Sequence, residues 1–446
     1  MTEKDEFRNN NDWLHKAKRP LKVIIIGAGI GGLTTAIGIA WYEAPEDHIE
    51  CKTGLHKTGH QVTILEQAPK IVEVGAGIQA APNATRVFSR LGLLENLKAK
   101  TNVLHGISVR RYADDKELSS TSLSPYVQEE FHSPLGVIHR GDLQGTLLRE
   151  AQDLGIDIRT SHNVIEVDER FAPRVKIQSG EWFEGDIVVA ADGIRSMTRS
   201  QMSAAHGHRD QVATTGDSAY RILIPRHRIE HDKEAIKLLD DNVGMRWVGP
   251  GGHIMAYPLQ PKSVVNGIKP EQNSTYNMVL LHPSPHKQGA NPDEEFWITK
   301  DSKQDMLRFY SGWAPIIQNL LKHAPEDEVM EWTLNMHRPL TTWVEGRIAL
   351  LGDACHPMLP YVAQGMANAV EDAAALTEIF TMTDDIDLGL RVYQHVRKER
   401  AEKMQQSTLD TQHVLHLPDG PEQIARDESM RAAMRGCTNP DRWSDK

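Results

Sequence analysis

Three glycines, Gly27, Gly29 and Gly32, follow the apolar run from Leu21 to Ile26 with the spacing G-x-G-x-x-G. A helix-like segment follows them directly. In a strand–turn–helix unit the first glycine permits a tight turn and the second lets the backbone approach a pyrophosphate. The third allows the helix to pack close to the strand. Glycine turns with this spacing also occur without a ligand, so the motif favours a dinucleotide site without establishing one.

An acidic residue, Glu66, ends the second predicted strand, Gln61 to Leu65. A carboxylate there can accept hydrogen bonds from both ribose hydroxyls and would repel a 2′-phosphate, which favours FAD or NAD over NADP. Glu66 lies 34 residues after Gly32, whereas about 20 residues is usual. We therefore interpret residues 42–60 as an inserted surface loop. The alternative for Glu66 is a solvated residue at a strand end.

The segment from Arg347 to Phe380 combines a buried strand, a Gly-Asp turn at Asp353, a proline-containing loop and a long helix. The helix is predicted to begin near Gln364, Gly365 and Met366. Its first N–H groups lack partners inside the helix and carry the positive end of the helix dipole. Such an N-terminus suits an electron-rich carbonyl edge such as flavin N1–C2=O. The segment therefore predicts a cradle for a flavin.

Composition limits the other classes of function. The formal net charge of −11 over 446 residues argues against a nucleic-acid or anionic-membrane surface. The three cysteines are too few and too scattered for a disulfide framework or a zinc site, and we expect no metal. Because no apolar run reaches the roughly 18 residues of a membrane span, we expect a cytoplasmic protein that begins with a flexible leader, residues 1–20.

Alternating segments such as YRILI and HIMAYPL, separated by Pro- and Gly-rich joins, predict an antiparallel sheet in the middle of the chain. The segment Val103 to Arg111 is expected to add a strand to that sheet. The fold class is thus predicted as α/β, with domains interleaved along the chain. They comprise a Rossmann-like FAD-binding domain (21–100, 134–197 and 346–385), a mixed or antiparallel-sheet substrate domain (101–133 and 198–345) and a C-terminal helical segment and tail (386–446).

Three distant segments together resemble one family: GAGIGG with Glu66, ADGIRS at residues 191–196, and GDACHP at residues 352–357. They are similar to segments of the single-component FAD-dependent aromatic hydroxylases of the para-hydroxybenzoate hydroxylase type. The resemblance runs from about residue 22 to about residue 427 and is closest to salicylate hydroxylase. The phrases that carry this closer likeness are EVGAGIQAAPNATRVFSRLGL (73–93), HRGDLQGTLL (139–148), AYRILIP (219–225), GPGGHIMAYPL (249–259) and HPMLPYVAQGMANAVEDAAAL (356–376).

The resemblance implies an enzyme with FAD as cofactor, NADH or NADPH and O2 as co-substrates, and a small phenolic acid as substrate. Oxygen would be transferred through a flavin C4a-hydroperoxide. Salicylate to catechol with loss of CO2 is the first reaction expected. The alternatives are ring hydroxylation of a hydroxybenzoate, hydroxynicotinate, polyketide or indole product, a flavin reductase or dehydrogenase that does not use O2, and a flavin-fold binding protein without redox chemistry. Monomer and homodimer both stay open.

The resemblance also implies cofactor contacts. Arg140 would bind the FAD phosphate or ribityl region, for which a guanidinium fork is suited. Asp192 would take part in FAD and nicotinamide nucleotide binding, Asp353 would accept from a ribityl hydroxyl, and Gly77 lies in one of the matching segments. The alternatives are a charge at a helix start for Arg140 and a turn carboxylate without a ligand for Asp192.

For catalysis, the resemblance places Pro357 in the wall beside the reacting face of the flavin. Tyr220 and Arg221 are neighbours on a predicted strand and must point to opposite faces; we predict that Tyr220 faces the substrate.

A phenol reacts best as its phenolate, so a base or proton relay should reach the substrate hydroxyl. Some related hydroxybenzoate enzymes have a histidine four residues before the tyrosine, but this chain has Gly216 there. His356 and His253 are the candidates for the relay, with a purely structural histidine as the alternative.

Overall fold

The computed structural model describes residues 19–40, 60–71, 75–208, 210, 212–260, 274–284, 298–299, 303–326 and 328–436. The predicted leader up to residue 18, the inserted loop up to residue 59 and the tail from residue 437 lie outside the described residues. None of the described helices combines the length and apolarity needed to cross a membrane.

The strands, in chain order, are β1 (Lys22–Ile26), β2 (Gln61–Leu65), β3 (Gly77–Ala80), β4 (Gly106–Arg111), β5 (Glu117–Ser122), β6 (Gly136–His139), β7 (Asp157–Arg159), β8 (Val164–Val167), β9 (Arg174–Ile177), β10 (Trp182–Glu184), β11 (Ile187–Ala190), β12 (Val212–Pro225), β13 (Val243–Gly249), β14 (Gly252–Leu259), β15 (Thr275–Pro283), β16 (Ile298–Thr299), β17 (Met330–His337), β18 (Val344–Glu345) and β19 (Ile348–Leu350).

The helices are α1 (Ile30–Ala40), α2 (Pro82–Arg90), α3 (Leu94–Lys98), α4 (Tyr126–Phe131), α5 (Arg140–Asp153), α6 (Met197–Ala205), α7 (Arg226–Ile229), α8 (Lys233–Asp240), α9 (Lys303–Phe309), α10 (Pro315–Lys322), α11 (Gly365–Met382), α12 (Ile386–Leu415) and α13 (Pro421–Gly436). Short 3-10 turns occur at Tyr310–Gly312, Gly352–Ala354 and Pro360–Val362.

The first sheet has the strand order β18-β19-β11-β1-β2-β7. All neighbours in it are parallel except β18, which runs antiparallel to β19. Counted along the chain, the five parallel strands have the doubly wound order 3-2-1-4-5. In such sheets the ligand crevice lies at the carboxyl ends of the strands, where the order reverses. The predicted Rossmann-like unit is confirmed.

Residue types explain why α1 and α11 lie close together on this sheet. An added Cβ at Gly38 of α1 would lie 2.2 Å from Thr377 Oγ1 of α11, and one at Gly31 would lie 3.3 Å from Ala369 Cβ. Small residues therefore let the two helix backbones approach. This packing brings the N-terminus of α11 to the same edge of the sheet as the glycine turn.

The second sheet has the order β16-β17-β12-β15-β14-β13-β4-β5. Its strands are antiparallel apart from the parallel pair β13 and β4. The strand predicted in Val103 to Arg111 is therefore confirmed as β4, a member of this sheet. Helices α7 to α10 cover one face in a single apolar cluster. The domain boundaries given above stay a prediction.

Helix α2 begins at Pro82, and Ala81 is the cap residue. Proline suits the first helical position because it lacks the N–H that would be unpaired there. The Asn83 side chain donates to Gln364 Oε1 (3.0 Å) and Glu371 Oε1 (2.7 Å), which joins α2 to the start of α11.

Candidate active site

Four predicted cofactor residues lie in loops at the carboxyl ends of parallel strands. Gly27 follows β1, Glu66 follows β2, Asp192 follows β11 and Asp353 follows β19. Because these strands are parallel neighbours, their loops meet at one edge of the sheet. We call this edge the crevice.

The glycine turn is tight on one side and open on the other. Gly27 has a φ of +97°, and a Cβ there would lie 2.6 Å from Ala191 O. A Cβ on Gly32 would lie 2.1 Å from Gly27 O, which fits its predicted packing task. At Gly29 an added Cβ would meet nothing within 4 Å, so the backbone there borders open space that a phosphate can enter.

Glu66 lies against this turn. Its Oε2 accepts from Ala28 N and its Oε1 accepts from Ala68 N, both at 2.8 Å. Carboxylate oxygens have further lone pairs, so both can still accept hydrogen bonds from ribose hydroxyls. The ribose contact itself stays a prediction.

Asp192 carries an acceptor without a partner. Its Oδ2 accepts from Thr198 N (3.2 Å) and Thr198 Oγ1 (3.1 Å), whereas its buried Oδ1 has no hydrogen-bond partner in the described part of the chain. Burial raises the pKa of Asp192, and the interactions with the Ser196 hydroxyl and with Thr198 oppose that rise. A buried acceptor of this kind is satisfied when a ligand brings a donor to it.

Asp353 and Arg140 lie near each other at the crevice. The Asp353 side chain is exposed, and the protein atoms around the carboxylate desolvate it and raise its pKa. The positive charges of His356, Arg140 and Arg199 oppose that rise. Arg140 is exposed at the first position of α5, where an FAD phosphate could reach it.

The N-terminus of α11 is uncapped by any side chain, as expected for a carbonyl-binding end. Gln364 uses its Oε1 to accept from Asn83, and Gly365 and Met366 are partly exposed. The open backbone at Gly29, the unpaired Asp192 Oδ1 and this helix start match the pyrophosphate, the hydroxyl-bearing chain and the carbonyl edge of FAD. The described residues therefore fit the cofactor.

Gly77 has a packing reason of its own. A Cβ there would lie 2.7 Å from Tyr257 Cε2, and its N–H donates to Asn277 Oδ1 at 2.8 Å. Gly77 thus joins the ribbon of β3 and β6 to the second sheet. A direct contact with the cofactor stays a prediction.

His356 is a correction to the predicted catalytic set. Its side chain is fully buried and its Nε2 lies 2.6 Å from Asp372 Oδ2, which also accepts from Gly352 N. Burial opposes protonation of His356, but Cys355 and the Asp372 carboxylate together outweigh it and raise the pKa of His356 well above its ordinary value. A side chain enclosed in this way holds the loop and cannot reach a substrate.

Pro357 is also buried, and its carbonyl accepts from Gln405 Nε2 of α12 at 2.9 Å. We call residues 357–363 the proline loop. The bond to Gln405 fixes the loop on its outer side, whereas the contact of Pro357 with the flavin face stays a prediction.

Arg199 was missed by the sequence reasoning. Its guanidinium is 1% exposed and donates to Asp353 O, Ala354 O and Ile194 O, at 3.3, 3.1 and 2.6 Å. It also donates to Asp210 Oδ2 at 2.9 Å. Arg199 therefore ties the loop after β11 to the loop after β19. The only signal in the sequence is its position three residues after Ser196, which caps α6.

One cross-strand row of the second sheet is open. Arg221, Val279, Met255 and Arg246 are direct neighbours on β12, β15, β14 and β13, and all four are partly exposed. The next row toward the proline loop is buried throughout and comprises Ala219, Leu281, His253 and Val248. Partial exposure in the middle of an eight-stranded sheet therefore marks a space above this row.

Two neighbouring segments wall this space. Leu359 and Tyr361 of the proline loop pack on Ala219 and Leu281 on one side. The ribbon of β3 and β6 packs through Gly77 and Val137 on Tyr257 on the other side. We call the open row between them the trench. It lies below the proline loop and beside the crevice, where a substrate could meet a flavin.

The choice of Tyr220 as the substrate contact is wrong. Tyr220 is 3% exposed and belongs to the helix-covered face of the sheet, where its ring stacks on His282 with centroids 4.3 Å apart. Burial raises the pKa of its hydroxyl. Strand alternation then places Arg221 on the trench side, 5.7 Å from the centroid of Trp332.

The trench side of the sheet carries unpaired nitrogen donors. Arg221 Nε, Arg246 Nε, Asn277 Nδ2 and Trp332 Nε1 are buried and have no hydrogen-bond partner among the described residues. Burial lowers the pKa of both arginines, and the charge of Arg140 contributes at Arg221. Both stay protonated at neutral pH, because an arginine keeps its proton in proteins even when burial lowers its pKa. The trench therefore suits an anionic, acceptor-rich molecule.

Gly216 and His253 concern the predicted relay. β12 bulges between Thr214 and Ser218, and Gly216 in the bulge has a φ of +81°, which a histidine would adopt only with strain. His253 lies 2.9 Å from His416 in a ring-to-ring contact. Burial, with the charges of Arg246 and His416, lowers the pKa of His253 well below its ordinary value. Its part in a relay stays a prediction.

Comparison with known proteins agrees with this geometry. The family model described as "FAD binding domain" matches residues 20–408. The FAD-dependent monooxygenase OpS4 of Beauveria bassiana is 35% identical over 420 residues, which cover 93% of this chain and 90% of that protein. The 3-amino-4-hydroxybenzoate 2-monooxygenase PtmB3 of Streptomyces platensis is 30% identical, with 94% of this chain and 95% of that protein covered.

A solved structure described as a salicylate hydroxylase substrate complex shares the fold, with a TM-score of 0.74 at 23% identity and 94% of each chain covered. The match to the family model extends over most of the chain, and the relatives match over nearly their whole length. The chain therefore belongs to the FAD-dependent aromatic hydroxylases.

Proposed function

We propose that this enzyme hydroxylates a small aromatic acid, with NADH or NADPH and O2 as co-substrates, and that Arg221 holds the carboxylate of the acid. The observation that carries the proposal is the Arg221 guanidinium in the trench below the proline loop, whose buried Nε has no hydrogen-bond partner among the described residues. A guanidinium fork matches a carboxylate with two parallel hydrogen bonds. Two relatives whose names contain hydroxybenzoate support the same substrate class.

The chain's own residues would bind and position the acid. Val279 and Met255 form an apolar floor on which an aromatic ring can lie. The proline loop and the β3–β6 ribbon enclose this floor and exclude water from the ring. Reduced FAD bound in the crevice would react with O2 and supply the oxygen atom.

Loss of CO2 depends on which ring carbon faces the flavin. If that carbon bears the carboxyl group, CO2 leaves as oxygen enters, as in the conversion of salicylate to catechol. An acid held further from the flavin would keep its carboxyl group. We put salicylate first among the substrates to test, followed by other hydroxybenzoates, a hydroxynicotinate and aromatic polyketide acids.

The test follows NADH and NADPH oxidation and O2 uptake with this panel of acids, and determines product mass in ¹⁸O2. We expect one or more acids to stimulate oxidation and to gain one labelled oxygen. Arg221→Met should lower kcat/KM by roughly 30-fold to several thousand-fold, since a buried charged hydrogen bond contributes about 2–5 kcal/mol.

Arg110→Met is the matched control. Arg110 lies in the same sheet, but its charge is already paired with Asp115 at 2.9 Å, so this variant should keep wild-type kinetics. Unlabelled products from every acid would refute a hydroxylase. Protein that stays colourless after FAD is added would favour the non-redox binding protein.

A further inference from the structure

Arg246 lies on β13, in the same open row as Arg221 of β12. The two strands that carry the apolar floor, β15 and β14, lie between them. The Nε of Arg246 is buried, and it makes no hydrogen bond or ion pair with the described residues. Three strand spacings of about 4.8 Å separate the two arginine backbones, so they stand about 14 Å apart across Val279 and Met255. A ring on the floor would thus have a cation at each end.

Asp217, which contacts Tyr361 of the proline loop, is already paired with other residues. Asp217 Oδ2 accepts from Tyr361 (2.5 Å) and Gln412 (2.6 Å) and lies 3.4 Å from His416. His253 lies in the adjacent row and cannot act as a counter-ion, because an imidazole is either neutral or positive.

The neighbouring arginines of β4 differ from Arg246 because they have acidic partners. Arg110 pairs with Asp115, and Arg111 of β4 pairs with Asp419 and Asp427. A buried cation without a partner is costly, and the cost is removed when a bound anion completes the pair.

We propose that Arg246 forms a second anion subsite of the trench, which takes the ionised ring hydroxyl of the aromatic acid whose carboxylate lies at Arg221. This inference rests on the proposed function and deepens it. It assigns the enzyme a substrate that is bound as a dianion, and among the acids proposed above it favours those whose hydroxyl is not adjacent to the carboxylate over salicylate.

The subsite would replace the base that is absent at Gly216. A positive charge within about 4–6 Å lowers the pKa of an acid by about 1–3 units. On binding, the phenol O–H bond would break heterolytically: the proton would leave to solvent, the electron pair would stay on the oxygen, and no other bond of the substrate would change at this stage. The ring would then already be electron-rich when it meets the oxygen donor.

The experiment measures proton release by titration calorimetry at pH 9 in two buffers of different ionisation enthalpy. The probes are 3-hydroxybenzoate and benzoate, and the FAD-loaded proteins are wild type, Arg246→Met, Arg246→Lys and Arg110→Met. A free phenol has a pKa of about 10, so a shift of 1–2 units should release roughly half a proton or more with 3-hydroxybenzoate. Benzoate should release none.

Arg246→Met should still bind both acids through Arg221, but it should release no additional proton with 3-hydroxybenzoate. Arg246→Lys should restore part of the release because the charge is kept, and Arg110→Met should match wild type. The visible flavin spectrum shows whether each variant is folded.

Equal proton release by wild type and Arg246→Met would overturn the second subsite and leave the proposed function intact. The same holds if wild type binds 3-hydroxybenzoate without releasing a proton. If no acid of the panel binds wild type, the proposed function fails and this inference fails with it.

Discussion

Two pairs of largely buried arginines have opposite surroundings. Arg199 donates to three backbone carbonyls and to Asp210, and Arg397 pairs with Asp372 and with Glu371. Arg221 and Arg246 have no such partners in the part of the chain that the structure describes. A buried cation whose hydrogen bonds and ion pairs are made within the protein stabilises the fold around it. A buried cation without such partners is available to pair with an anionic ligand. The comparison separates arginines that hold the structure of the site, Arg199 and Arg397, from arginines proposed to bind the ligand, Arg221 and Arg246.

Among variants of the paired arginines, Arg199→Met should have the largest effect on stability. The change removes the charged partner of Asp210 and the donor to three carbonyls, so the free energy of unfolding should fall by about 3–5 kcal/mol. Urea unfolding at neutral pH measures it. Arg347→Met is the control, because its ion pair with Asp387 (3.4 Å) is exposed and should contribute less than about 1 kcal/mol. Equal losses in the two variants would contradict the structural role of Arg199.

Asp210, the partner of Arg199, gives a prediction for pH. Burial alone would raise its pKa, but the hydrogen bond with His337 and the charge of Arg199 outweigh burial and lower it to about 2. A lowered folded-state pKa stabilises the fold above the ordinary pKa, and this contribution is lost as pH falls toward about 2. Between pH 5 and pH 3 the stabilisation by Asp210 should fall by about 1 kcal/mol.

The measurement is urea unfolding of wild type and Asp210→Asn at several pH values. The difference in free energy of unfolding between them should be largest above pH 5 and should shrink at pH 3, since asparagine does not titrate. A difference that is constant with pH would show that the Asp210 charge is not paired in the folded protein.

Arg221 belongs to the arginines without a protein partner, so Arg221→Met should not lower the free energy of unfolding as Arg199→Met does. Methionine fills a similar volume without a charge, so the free energy of unfolding should stay constant or rise by up to about 1 kcal/mol, although substrate turnover is lost. Unfolding without an aromatic acid present is the relevant measurement, because a bound anion would stabilise wild type alone. A loss above about 2 kcal/mol would mean that Arg221 has a structural partner.

The crevice could be predicted from the sequence and the trench could not, for a physical reason. The strands before Gly27 and Asp353 are continuous apolar runs, which is typical of parallel strands buried on both faces, and their ligand-facing residues follow directly in the chain. The trench depends on the register of strands far apart in sequence. Arg246, Met255 and Val279 become neighbours only through pairings that no local pattern fixes.

The choice between Tyr220 and Arg221 failed for a related reason. β12 is covered on both sides, so the residues after Arg221 read ILI without polar alternation, and the sequence does not show which face meets the ligand. Arg199 was missed because its partners are mostly backbone carbonyls, which leave no residue type to recognise.

Tyr220→Phe should have the smallest effect, and it tests directly which face of the sheet the Tyr220 side chain lies on. The hydroxyl lies on the helix-covered face beside His282, so its removal should leave kcat/KM and the ratio of hydroxylated product to NAD(P)H oxidised within error of wild type. Peroxide release, product yield and NAD(P)H oxidation in one reaction give that ratio. Arg221→Met, one residue further along the strand, should lose turnover in the same assay. An increase in peroxide release by Tyr220→Phe would return the tyrosine to the substrate side and reverse the assignment of the two faces of the sheet.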